Sequence, residues 1–191
     1  MKNWLNLFLA IGIKSAVLHC DSMADTDLTK EEKLCKNLAV LKELTDYLKG
    51  TDLVICLENL VGICSDAEEL MWLVEQANSK NLGICLDTGH LNLSSSPDQV
   101  AFIRRAGVYL RALHIADNQG QTDQHMLPFG RGNVDFEAVV KALKEIGYTG
   151  LFHYEIPGER FCPLEISRAK LRYAKEIFEY LNRLYSAESR I

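Results

Sequence analysis

Five short apolar runs, each ending on a side chain that binds metals or carries protons, punctuate the chain: Ala16–His19, Leu53–Glu58, Ile84–Asp87, Arg111–His114 and Leu151–Glu155. Runs of this length bounded by glycine or polar residues predict buried parallel strands over about 15–19, 53–58, 83–87, 110–114 and 151–155. Helical periodicity fills the gaps. It predicts helices over 2–12, closed by Gly12, and over 28–49, where Leu34, Leu38, Leu41, Leu44 and Leu48 form one stripe. Ser65 and Glu68 have capping-box spacing for a helix over 66–79, and Ser96 and Gln99 repeat it for a helix from Pro97 to Gly107. Asp135 is the expected N-cap of a helix over 135–146. A last helix over 164–185 is expected to turn Tyr173, Ala174, Ile177, Phe178, Leu181 and Leu184 inward.

Strand and helix thus alternate five times without a hairpin signal, which implies right-handed crossovers and a parallel sheet. Both an open doubly wound sheet and a barrel satisfy that pattern. No glycine-rich dinucleotide or phosphate signature is present, and polar groups sit at nearly every strand end rather than at one switch point, which favours the barrel. The expected fold is therefore an α/β, parallel TIM-barrel type that is incomplete. About five βα units correspond to barrel strands 4 to 8, the N-terminal three are missing, and residues 1–191 form a single partial domain. Two outer strands of buried-type sequence would be left as edges. This points to a fragment or truncated gene model, or to a homo-oligomer in which a partner covers the edges.

With 191 residues and 48% hydrophobic content the chain suits one domain with a full core. A formal net charge of −5 and a pI near 5.6 disfavour a dedicated nucleic-acid surface. Six scattered cysteines, with no CxxC pair, fit a reducing, cytoplasmic setting better than a disulfide framework or a cysteine zinc site. The apolar segment Trp4–Ile11 is too short to span a bilayer and reads as a core-facing helix, so no membrane partner is expected.

Because side chains alternate along a strand, Glu58 shares its face with Cys56, Asp87 with Cys85, His114 with Ala112, and Glu155 with His153. Glu58, Asp87, His114 and Glu155 then converge above a layer of mostly small residues. Three carboxylates and one imidazole suit Mn²⁺, Mg²⁺, Co²⁺ or Zn²⁺, and without a cation the carboxylates would repel one another. The long loop 115–134 carries Asp123 and His125, which together with His90 form a possible second metal or substrate-binding cluster. His19 reaches the first metal, contacts substrate or lines the pocket. His153 is expected to be a buried, hydrogen-bonded histidine one layer down, and Arg131 either binds an anionic substrate group or is a solvated loop residue.

The motifs Leu57-Glu58-Asn59, Leu86-Asp87-Thr88-Gly89-His90, Leu113-His114-Ile115-Ala116-Asp117-Asn118, Gly130-Arg131-Gly132-Asn133-Val134-Asp135-Phe136, Gly147-Tyr148-Thr149-Gly150 and Tyr154-Glu155 together resemble the xylose isomerase-like TIM-barrel superfamily, most closely its sugar phosphate isomerase/epimerase group. The resemblance implies Glu58, Asp87, His114 and Glu155 as metal ligands, with Glu58 and Glu155 also the acid/base pair of an enediolate mechanism on a sugar or sugar phosphate. It implies that His90 contacts a substrate oxygen. Related ketose 3-epimerases place an arginine where this chain has Gly120. The same superfamily holds apurinic endonucleases, whose zinc-ligand pattern is matched by His19, Glu58, Asp87, His90, His114, Asp123, His125 and Glu155. A metal-dependent phosphodiesterase is therefore the alternative, and an inactive barrel fragment or binding module is a third.

Overall fold

A computed structural model describes residues 1–24, 26–60, 62–158 and 161–186. Four parallel strands pair in chain order, β1 (Ser15–His19), β2 (Val54–Glu58), β3 (Leu82–Asp87) and β4 (Leu110–His114). The helices between them are α1 (Lys2–Ala10), α2 (Lys30–Tyr47), α3 (Ala67–Ala77), α4 (Thr88–Asn92), α5 (Gln99–Ala106), α6 (Phe136–Glu145) and α7 (Leu164–Ser186). The result is a TIM-barrel-like α/β fold. The sheet curls strongly, since Cα atoms of β1 and β4 come within 8 Å, whereas strands three places apart in a flat sheet would be about 14 Å apart.

The fifth expected strand is reduced to a single parallel bridge between Ile115 and Tyr154. Ile115 N–H donates to the His153 carbonyl at 2.8 Å, and Glu155 N–H donates to the Ile115 carbonyl at 3.1 Å. Those two bonds still carry Glu155 to the same end of the arc as the strand-end residues. Among the described residues the far edge of β1 pairs with no strand.

Alternation decides the two faces. Ile55, Leu57, Ile84, Leu86 and Leu113 join the large apolar core shared with the helices, while Cys56, Glu58, Cys85 and Asp87 on the opposite parity are equally buried. Register is what brings His114 onto that second face. Ile84 faces Leu110, but Cys85 faces Ala112 and Asp87 faces His114, so β4 gains one residue, Arg111, at the shift between Ile84 and Cys85. Without that bulge His114 would sit opposite Thr88 and its side chain would point into the helical core. Gly83 makes room for the bulge: a Cβ there would lie 2.5 Å from Arg111 Cγ and 3.0 Å from the Tyr109 carbonyl oxygen.

Several helix starts differ from expectation by a residue or more. Asp66, not Ser65, caps α3 by accepting from Glu69 N–H, and Asp98, not Ser96, caps α5 by accepting from Ala101 N–H. In both cases the carboxylate also complements the positive helix terminus, which a serine hydroxyl does not. Thr29 and Glu32 form the true capping box at α2, whose helix begins at Lys30 rather than 28. Asp135 caps α6 as expected. In α7 only Ile177 and Leu181 are fully buried; Tyr173 and Phe178 remain exposed, although the Phe178 ring stands 5.8 Å from that of Phe152. The α1 helix buries Leu5 but leaves Trp4, Leu7 and Ile11 exposed. No helix among the described residues is long and apolar enough to cross a membrane.

Candidate metal centre

The C-terminal ends of the strands gather their polar residues into one cluster. Ligand atoms of Glu58, Asp87, His114 and Glu155 all lie within 4.8 Å of one another. Glu58 and Asp87 are almost completely buried, at 1% and 0% exposure. Such burial of two carboxylates beside a third requires compensating positive charge.

The compensation within the protein is partial. Glu58 Oε2 lies 3.1 Å from His19 Nε2 and 3.1 Å from His114 Nδ1, and its Oε1 lies 3.1 Å from His90 Nδ1. Burial raises the Glu58 carboxyl, but the His114, His90 and His19 imidazoles outweigh it and hold the group well below the ordinary carboxylate range. Contact with Glu58, only partly opposed by burial, pushes His90 up to about 9. For Asp87 burial dominates and pushes it up to about 6, despite the nearby His90. His114 also ends above its ordinary value: its burial lowers it, and contacts with Glu58 and Glu155 more than reverse this.

Orphaned atoms show what the cluster lacks. His114 Nδ1 is 2.8 Å from Glu155 Oε2 and 3.1 Å from Glu58 Oε2, but neither approach is aligned as a hydrogen bond. Asp87 Oδ2, His114 Nδ1 and Glu155 Oε2 are all buried without a hydrogen-bond partner. Two carboxylate oxygens and an imidazole nitrogen buried together without hydrogen bonds are costly in a metal-free protein, and they are the donors a cation takes once the imidazole gives up its proton. The mixed oxygen and imidazole set therefore fits a divalent ion. Cys85 Sγ lies within 4.8 Å of Glu58 and His114 donor atoms as well, but burial raises its thiol far above the ordinary range, so it enters as a neutral group.

The loop after β4 and the α4 helix together supply a second cluster. His90, Asp123 and His125 each offer a donor within 4.8 Å of the others, with His125 Nε2 3.0 Å and His90 Nε2 3.4 Å from Asp123 Oδ2. His125 takes a left-handed backbone, φ 45°, and its Nδ1 lies 2.8 Å from the Glu155 carbonyl oxygen. Buried Asp117 anchors this loop by accepting from Asn118 and Val134 N–H at 2.9 and 3.2 Å. Gly132 is required beside it, since any Cβ would collide with the Asp117 carboxylate.

An open cleft of about 640 Å³ adjoins the second cluster, lined by His90 and Asp123 together with His19, Asp21, Ser22 and Leu60 among others, and reaches the first cluster's edge at His19, which contacts Glu58. Arg131 does not join either cluster; its side chain is exposed and its carbonyl accepts from Gln119 Nε2 at 3.3 Å. His153 corrects expectation: it is exposed rather than buried, because among the described residues no strand covers that edge, and it stands edge-on to His114 with ring centroids 5.4 Å apart.

A family model described as the xylose isomerase-like TIM barrel matches residues 1–184. The chain belongs to that family. Its relatives include a probable endonuclease 4 of Mesomycoplasma hyopneumoniae (strain J), 30% identical over 70% of this chain and 52% of that protein. A ketose 3-epimerase of Arthrobacter globiformis is 34% identical over 56% of this chain and 35% of its own length. The crystal structure of the IOLI protein with a zinc atom superposes with a TM-score of 0.79 at 24% identity, over 98% of this chain and 69% of that one. The chain spans about half the length of the curated relatives it matches, from 44% to 55% for three of them.

Some residues that build the site carry no chemistry visible in sequence. Asn59 and Thr88 are fully buried and extend the sheet beyond its last rung with side-chain hydrogen bonds. Asn59 directly follows Glu58, yet no spacing rule distinguishes a bridging amide from a turn residue.

Proposed function

We propose that this site is the divalent-metal centre of a sugar or sugar-phosphate isomerase or epimerase working through an enediolate, with Glu58 and Glu155 as its proton carriers. The observation that carries this reading is the convergence of Glu58, Asp87, His114 and Glu155 with three of their buried donor atoms unpartnered. A bound cation supplies Lewis-acid polarisation of a substrate carbonyl and its neighbouring hydroxyl.

Glu58 and Glu155 enter from β2 and from the segment beyond β4, so they approach the cluster from different sides of the arc. One carboxylate removes the proton from the carbon beside the carbonyl, and the other returns a proton to the enediolate. Asp87 and His114 hold their positions from adjacent strands on one paired rung. His90, charged beside Glu58 and opening onto the cleft, offers an N–H to a substrate oxygen. A partial barrel in residues 1–191 that acts on a small hydroxylated molecule is consistent with the cleft and with the sugar epimerases in the family.

The His90–Asp123–His125 group favours one second reading, a metal-dependent phosphodiesterase related to the endonuclease 4 proteins. Against it, Asp21 and Asp123 line the cleft and would face a phosphodiester with like charge. Incubating the Mn²⁺-loaded chain in D₂O with a panel of ketoses and ketose phosphates, and separately with abasic-site DNA, decides between them. The expected result is NMR-detected exchange of the proton beside the carbonyl. Cleavage of the DNA with no sugar exchange would replace the first reading with the second.

A further inference from the structure

The β2–β3 ladder ends at the pairing of Glu58 with Cys85, and a single side chain continues it. Asn59 Nδ2 donates to the Asp87 carbonyl at 2.9 Å, and Asp87 N–H donates to Asn59 Oδ1 at 2.7 Å. The carboxamide thereby replaces a backbone peptide as the next rung, with both halves satisfied and the residue 0% exposed. Three consequences converge on the metal cluster. Asn59 is covalently next to Glu58. It fixes the backbone of Asp87, whose Oδ1 then caps α4 by accepting from His90 N–H at 2.6 Å, leaving Oδ2 unpartnered in the cluster. Its own carbonyl oxygen lies 3.1 Å from His90 Nδ1.

We propose that Asn59 is a positioning residue that sets Glu58, Asp87 and His90 for cation binding without touching the cation. This role rests on the proposed metal centre. Because the Asn59 carboxamide holds both backbone groups of Asp87, Asp87 keeps Oδ1 on the start of α4 and leaves Oδ2 for the site. An aspartate at position 59 has the same shape and keeps the acceptor for Asp87 N–H. It would set an oxygen against the Asp87 carbonyl where a donor stood, forcing the two strand ends apart.

The test compares the wild-type chain with Asn59→Asp, and with Asn59→Ser as the second variant. Mn²⁺ affinity is measured by calorimetry, the visible absorption of bound Co²⁺ is recorded, and thermal unfolding is followed for the metal-free proteins. The expected result is Mn²⁺ binding weakened 10–100-fold, an altered Co²⁺ spectrum, and a metal-free Tm that changes far less than a core truncation would. Unchanged Mn²⁺ affinity and Co²⁺ spectrum in a folded variant would overturn the proposal, as would a lowered Tm with metal binding intact. Amide hydrogen exchange on the metal-free wild type supplies a reading that needs no variant. Asp87 N–H should be strongly protected, and exchange at the rate of an open loop would overturn the clamp. A wild-type chain that binds no Mn²⁺ while Asp87 N–H is protected would instead overturn the metal-centre reading.

Discussion

Asp87→Asn should make the metal-free protein more stable at alkaline pH while abolishing its metal site. Asp87 is fully buried, and burial pushes its carboxyl from 3.8 up to about 6. The folded state therefore holds the proton more tightly than the unfolded chain. The carboxyl is without penalty below the unfolded value and destabilises the fold increasingly as pH rises through about 6. At pH 8 the full difference between 3.8 and 6 corresponds to about 3 kcal/mol. At pH 5 only about half of that is developed, by the same linkage relation. Asparagine keeps the oxygen that caps α4 and removes the charge. Urea unfolding of EDTA-treated Asp87→Asn against wild type should thus show a gain of about 1–3 kcal/mol at pH 8 that shrinks by about half at pH 5. With saturating Mn²⁺ the order should reverse, because only the wild type gains binding energy on folding. A loss of stability at pH 8 in the absence of metal would refute the reasoning, since it would mean the carboxylate is already satisfied within the protein.

Three further outcomes follow from the same geometry. Glu155→Gln should abolish proton exchange on ketoses and lower metal content by elemental analysis, because it removes both a donor and a proton carrier. Affinity for Mn²⁺, measured by competition titration, should rise with pH from 5.5 to about 9, as the Asp87 carboxyl at about 6 and the His90 imidazolium at about 9 lose the protons that oppose a cation; a flat profile would contradict the assignment. Gly132→Ala should cost about 1–3 kcal/mol in thermal unfolding by overpacking against Asp117, and should weaken any ion held by the His90–Asp123–His125 group more than the Glu58 site.

The strands and the polar side chains at their ends were readable in sequence because a buried parallel strand is a continuous apolar run that stops where a carboxylate or imidazole begins, as at Leu86-Asp87 and Leu57-Glu58. The face of His114 was not readable. Simple alternation places it with Ala112, which is right, but only the Arg111 bulge allowed by Gly83 levels that face with Asp87. The short α4 helix was not legible between the third strand and Pro97, because its N-cap is Asp87, the last residue of the strand itself. His153 and Phe178 were expected inside because their spacing suits a core, whereas burial also depends on what lies across the edge, which no local period records. Asn59 was invisible for a similar reason: its role exists only through a partner 28 positions away.

The most direct test of the metal centre is calorimetric titration of the EDTA-treated chain with Mn²⁺, run alongside Asp87→Asn. The four convergent donors predict a saturable site with one ion per chain in the wild type that disappears in the variant. Absence of stoichiometric binding in the wild type, or identical isotherms for the two proteins, would contradict it.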